Sequence, residues 1–334
     1  MRYQYLLLAL TICSISNTAY AKPKEKIVCE YATRYGEIRQ ASSIDEVPRD
    51  ARSTAQCHSA STNETLAKPE DIKLSGNQRA ETINSSVGEI QLRWPRKVES
   101  LFGRTPLRAM ADAANTVSRA IKNSAFPSNI QTLNLHWQVV FMDESLPEGQ
   151  IPTSLVTNCH PGWMTPPANI YIVAQRVAGG CGGQRASTSV ADATLAQVLV
   201  HEMGHAVEFY MLNQRGKLDR MRAEGFAAWF ERYASQYSSI LNNREISRMQ
   251  FEAARYAIQK SPDRFVFGGS FEDYARASMY FGAASEQRGI QGIMEVYQLI
   301  NSKGLDFIPA ILQVTSWDEK RLEREVVDLA RKNQ

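Results

Sequence analysis

His201-Glu202-Met203-Gly204-His205, inside the run TLAQVLVHEMGHAVEFYML, constrains this chain more than any other stretch. Leu195, Val198, Leu199 and Val200 supply an apolar face at helical spacing. Asp192 or Thr194 is expected to cap the start of that helix. Residues four apart on a helix share one face, one turn apart. The imidazoles of His201 and His205 therefore project side by side, close enough to share a metal ion. Glu202 points too far round to be a third ligand in the same plane, but it can reach a water held between them. Zinc-assisted hydrolysis uses this spacing. The competing reading is a solvated helix face that happens to carry two histidines and an acid. Only five His occur in the chain, and two fall here. A catalytic zinc needs three protein ligands and one open position, so the metal reading demands a third ligand.

Glu224, in RMRAEGFAAWFERYAS, is the candidate. Asn213-Gln214-Arg215-Gly216-Lys217 is a polar break with a glycine, as expected at a helix end. A second helix is predicted from about Asp219 to Ser235, with Phe226, Trp229, Phe230 and Tyr233 at helical spacing. Two helices joined by a short loop pack antiparallel, which turns Glu224 back toward His201 and His205. Ala223, Gly225, Ala227 and Ala228 are small and permit a close approach.

With Glu224 following His205 after a gap of eighteen residues, in the local form Glu224-Gly225-Phe226-Ala227, the chain resembles the gluzincin clan of zinc metallopeptidases. The gap matches the aminopeptidase-like branch rather than thermolysin. The resemblance spans roughly Thr105 to Leu305. It implies an α+β fold: a small mixed sheet, a motif helix, a glutamate helix and a helical C-terminal subdomain. It implies one Zn²⁺ held by His201, His205 and Glu224, with Glu202 as general base, acting on a peptide or protein substrate. It also implies that the strand just before the motif helix is the sheet edge to which an extended peptide adds. A tyrosine helix after the glutamate helix is similar in local form to Asp273-Tyr274-Ala275-Arg276-Ala277, which makes Tyr274, ahead of Tyr280, the expected oxyanion stabiliser. The metzincin pattern needs Gly at 208 and His at 211, where this chain has Glu208 and Met211. No Gly-x-Met-Glu-Asn element precedes the motif, which argues against aminopeptidase action.

Residues 1–21 read as a cleaved signal peptide, with Arg2, the apolar run Leu6–Ile12 and a small-x-small end at Ala19-Tyr20-Ala21. That predicts a periplasmic or secreted protein with no transmembrane segment. Export would leave Cys29, Cys57, Cys159 and Cys181, an even set that favours disulfides. Three pairings are open, and sequence neighbourhood favours Cys29–Cys57 and Cys159–Cys181. The formal charge is +3, of which Arg2 carries one unit; this is too little to imply nucleic acid as a partner.

Residues 22–95 are rich in Ser, Thr, Asn, Lys and Glu, with short apolar runs, and read as a small β-rich, disulfide-containing region. IVCEYATRYGEIRQ suggests one or two strands, Ser59–Ser86 a linker, and VGEIQLRW another strand. Residues 96–334 read as the catalytic domain. A helix is expected over PLRAMADAANTVSRAIKNSA, strands at Asn134–Phe141 and Asn169–Gln175, and helices at Arg244–Lys260, from Phe271, at Gly289–Ile300 and at Trp317–Leu329. His136 reads as a packed strand residue, His160 as a loop residue at the rim of the cleft, and Gly179–Gly183 as a turn anchored by Cys181. Two other functions fit the same residues: a catalytically silent binding module of this fold, and a zinc hydrolase acting on cell-wall amide bonds.

Overall fold

The computed structural model describes residues 26–32, 38–41, 47–48, 56–60, 66–143, 151, 160–180, 185–214, 219–262 and 265–332; in the first two strands and the third, only the backbone. Residues 1–21, expected to be a signal peptide, and Cys159 and Cys181 lie outside these residues. The fold is α+β. Strands β1 (Lys26–Ala32), β2 (Ile38–Ala41) and β3 (Gln56–Ala60) form a small antiparallel sheet in the order β2-β1-β3, whose register sets Cys29 opposite Cys57.

A five-stranded sheet carries the rest. β4 (Gln78–Ser85), β5 (Gly88–Pro95), β6 (Leu135–Met142), β7 (Gly162–Thr165) and β8 (Asn169–Val173) lie in the order β4-β5-β6-β8-β7. β5, β6 and β8 are parallel, and both edge strands run antiparallel to their neighbours. At the tight β4–β5 turn only glycine fits position 88: φ is +118°, and a Cβ there would run into the Leu135 carbonyl of β6. Residues 78–85, predicted as linker, are thus a strand, and the sheet spans the expected boundary at 95. Their alternation is mostly polar because β4 is an exposed edge, which hides the strand signal.

The strand next to the motif helix in sequence is not the edge. β8 lies between β6 and β7, and β7 is the edge strand. The chain doubles back through the hairpin 162–173 before entering the helices, which covers β8.

Helix α1 (Pro106–Ile121) connects β5 to β6 together with the short α2 (Ser128–Gln131). Its Met110, Ala114, Val117 and Ile121 pack with Ile90, Leu92, Val139, Phe141, Ile170 and Ile172 from one face of the sheet. The opposite face, with Val140, Met142, Tyr171 and Val173, is covered by Ile72 and neighbouring residues of segment 66–74. After the short α3 (Ala174–Gly179) come the motif helix α4 (Thr188–Met211), the glutamate helix α5 (Arg220–Ser235), α6 (Asn243–Lys260), α7 (Phe271–Lys303), α8 (Phe307–Thr315) and α9 (Glu319–Arg331). The two helices expected at 271 and 289 are one element, broken only at Gly289, whose φ of 65° and ψ of −168° interrupt the helical ladder. α4 starts earlier than expected, after Ser187. Asp192 does not cap it; its Oδ1 accepts the backbone N–H groups of Gly103 and Arg104 at 3.0 and 3.1 Å. Thr194 donates its hydroxyl to Val190 O within the helix. No helix among the described residues is long and apolar enough to cross a membrane.

Candidate metal centre

α4 and α5 pack against each other, which brings their chemistry together. α4 ends where Asn213 and Gln214 take positive φ values of 52° and 61°, and α5 starts at Asp219, whose side chain accepts the Arg222 N–H. Close approach follows from small residues. A Cβ on Gly204 would meet Phe230 at 3.1 Å and Ala227 Cα at 3.4 Å. On its other side α5 lies against α7, where a Cβ on Gly225 would come within 2.9–3.0 Å of Ala277.

Glu224 consequently reaches both histidines. Its Oε2 lies 3.3 Å from His201 Nε2 and 3.5 Å from His205 Nε2. The two imidazole centroids are 5.0 Å apart and nearly perpendicular. Among the described residues this is the one set of three ligand-bearing side chains that converges closely enough to hold a metal ion. Burial pushes the Glu224 carboxyl up, but the two imidazoles outweigh it and hold it well below the usual carboxylate range. Burial lowers both histidines, yet Glu224, joined at His201 by Glu231, raises them above the ordinary imidazole value. The group is thus a buried anion facing two rings that attract positive charge. The donor set fits a tetrahedral ion: ligand atoms about 2.0–2.1 Å from its centre lie about 3.3 Å from one another.

Glu202 is buried at 5 % exposure. Burial raises its carboxyl, with His205 and His201 pulling the other way. A carboxylate displaced toward neutral pH suits a proton acceptor. Tyr274 projects from the first turn of α7. Its ring stacks on His201 at 6.3 Å and on Phe267 at 5.7 Å, and its hydroxyl lies within electrostatic reach of Glu224 and Glu202. Tyr280 is remote: it is buried and donates to Glu323 of α9. His160 is half-buried and close enough to feel Glu224, Arg220, Arg176 and His201; burial lowers its pKa. His136 departs from its reading as a packed residue. It is exposed and pairs with Glu89 at 3.1 Å.

Two further buried acids lie near the ligand set, Glu208 on α4 and Glu231 on α5. Glu208 is consumed in a buried tie between α4, α5 and α7, accepting Arg222 Nε and Tyr297 Oη, each at 2.8 Å. Glu231 does more. Its Oε2 sits 3.3 Å from His201 Nδ1, the nitrogen opposite the ligand face. Its Oε1 accepts Gln197 Nε2 at 2.7 Å and Gln250 Nε2 at 3.2 Å. Gln250 is itself held, donating to Ala228 O and accepting from Arg232 Nη1, both at 2.9 Å. A carboxylate on the second nitrogen fixes the tautomer that leaves Nε2 free to ligate. Gln197 stands four residues before His201, and Glu231 seven after Glu224, so helical spacing places each on the face of its ligand.

A scan against models of known protein families finds no match, and no curated protein matches the chain. The functional reading rests on the geometry of the site.

Proposed function

We propose that this chain is an exported zinc metallopeptidase of gluzincin type. The observation that carries the reading is the meeting of His201 Nε2, His205 Nε2 and Glu224 Oε2 at 3.3–3.5 Å, with Glu231 oriented on the outer nitrogen of His201. Two neutral imidazoles and one carboxylate with an open side are the donor set of catalytic zinc. Zinc bound there supplies a Lewis acid that polarises a carbonyl and makes water more acidic.

The chain's own residues do the rest. The Glu202 carboxylate takes a proton from the water whose oxygen adds to the peptide carbonyl carbon. The Tyr274 hydroxyl donates a hydrogen bond to the carbonyl oxygen as negative charge gathers there. Glu202 then gives its proton to the amide nitrogen as the C–N bond breaks, releasing a carboxylic acid and an amine. Glu202 is buried and Tyr274 and His160 are half-buried, a setting that limits competing water.

The test compares purified wild type with Glu202→Gln. Wild type is expected to carry one zinc per chain and to cut casein. The variant is expected to keep the metal and lose hydrolysis by about 10²–10⁴-fold, the usual worth of a general base. Unimpaired turnover in the variant would remove Glu202 from the mechanism. A peptidoglycan digest run beside casein separates peptide from cell-wall amide cleavage.

A further inference from the structure

Arg220 opens α5, one turn before Glu224 and on the same face. It is half-buried. Its guanidinium carbon lies 5.9 Å from the centroid of Phe267, the ring stacked on Tyr274, and its charge acts on the Tyr274 hydroxyl. It therefore lies along the same wall as the proposed oxyanion donor. Arg222 and Arg276 nearby are each matched with a carboxylate, Glu208 and Glu323. No carboxylate among the described residues forms an ion pair with Arg220. Arg176, on α3, donates to the His160 carbonyl at 3.1 Å, and both Arg176 and Arg220 act on the His160 ring. Arg220 and Arg176 thus lie on the His160 side of the site, while the acids Glu202, Glu224 and Glu231 lie within it.

We propose that Arg220 is a specificity-determining residue that selects substrates presenting a carboxylate beside the scissile bond. The inference rests on the peptidase reading for its substrate class. A guanidinium offers paired donors that match a carboxylate's two oxygens. Here it is backed by an aromatic face, which orients the fork without using up its charge. A partly desolvated cation that forms no ion pair among the described residues gains most from an anion supplied by a ligand. The carboxylate can be a chain's C-terminus or an Asp or Glu side chain, and the test separates these.

Binding is measured first, by calorimetry, on zinc-loaded Glu202→Gln protein, so that no turnover is needed. The probes are a blocked peptide ending in a free carboxylate, its C-terminal amide, and an end-blocked pair carrying Glu or Gln at each of two positions on either side of the cleaved bond. At least one acid is expected to bind about 10–100-fold tighter than its neutral partner, the range for a charged hydrogen-bonded contact. Adding Arg220→Gln should bring that ratio to about one-to-one with zinc content retained; Arg220→Lys, a point charge without the fork, should keep part of it. Equal binding of acid and neutral probes, or a preference that survives Arg220→Gln, overturns the proposal. The same peptides are then given to wild type. A carboxylate preference in binding without cleavage of any of them would sink the peptidase reading alone; cleavage without preference would sink the Arg220 assignment alone.

Discussion

Replacing Glu231 by Gln tests the site through a residue that touches no substrate. The side chains are isosteric, so packing is unchanged. The Oε1 position receives two N–H donors, from Gln197 at 2.7 Å and Gln250 at 3.2 Å. Gln250 cannot turn over to accommodate a change, because its oxygen accepts Arg232 and its nitrogen also donates to Ala228 O. A glutamine at 231 has two orientations. With its NH₂ toward the two donors, two buried hydrogen bonds are lost, at about 1–3 kcal/mol each. With its oxygen toward them, both survive, and the NH₂ faces His201 Nδ1 from 3.3 Å. The second orientation wins, since it costs only a change of imidazole tautomer. That tautomer carries its proton on Nε2, the atom required to ligate. Metal affinity is therefore expected to fall about 10–100-fold, the usual effect of removing an outer carboxylate, which is about 1.4–2.8 kcal/mol. Stability of the metal-free protein should move by less than about 1 kcal/mol, since no buried donor is orphaned. Zinc affinity is read by competition with a chromophoric chelator, and apo stability by urea unfolding. A zinc affinity within twofold of wild type, at unchanged apo stability, would refute the tautomer argument. Glu231→Ala is the poorer probe because it orphans two donors and confounds the readouts.

Further outcomes follow from the same contacts. Glu224→Ala should abolish stoichiometric zinc by removing the carboxylate that, among the described residues, faces both Nε2 atoms; elemental analysis of the dialysed protein decides it, and undiminished zinc would mean another residue ligates. Gly225→Ala sets the roughly 1 kcal/mol helix preference of Ala over Gly against an overpacking cost of about 1–3 kcal/mol, because the added Cβ would lie 2.9–3.0 Å from Ala277. The net expectation is a loss of up to about 2 kcal/mol in urea unfolding, with weaker zinc binding as α5 moves off α7; a stabilised variant would show the helices have slack. Chelation should lower the thermal midpoint: metal held at about 100 times its Kd contributes about 2.7 kcal/mol, or about 5–10 °C for a domain of this size. An unmoved midpoint in a calorimetric scan with and without chelator would mean that the folded chain binds no metal under those conditions.

Local geometry made the centre legible in the sequence. The i, i+4 spacing of His201 and His205 puts both rings on one face in any helix, and the break at 213–217 with its short loop turns the next helix back on the first. The apolar periodicity of 106–121 and 243–260 marked those helices for the same reason: 3.6-residue repetition is a property of the chain itself. What the tertiary structure decided are relations between segments with no common period. β4 carries no alternating apolar face because it is an exposed edge, so its sheet membership became visible only against β5. β8 could not be told from an edge strand until the 162–165 hairpin covered it. Asp192 resembles a helix cap by type, but it serves the N–H groups of 103 and 104, reached only across the fold. The same holds around the candidate ligands. Gln250 comes from α6, Tyr274 and Phe267 from the start of α7 and the loop before it, and Arg220 gains its meaning from their rings. Sequence thus determined which residues could ligate, because the histidine pair is set within one turn of one helix and the glutamate stands on the next helix along the chain; packing of α4, α5, α6 and α7 decided which tautomer they hold and what faces them, because those contacts join separate elements.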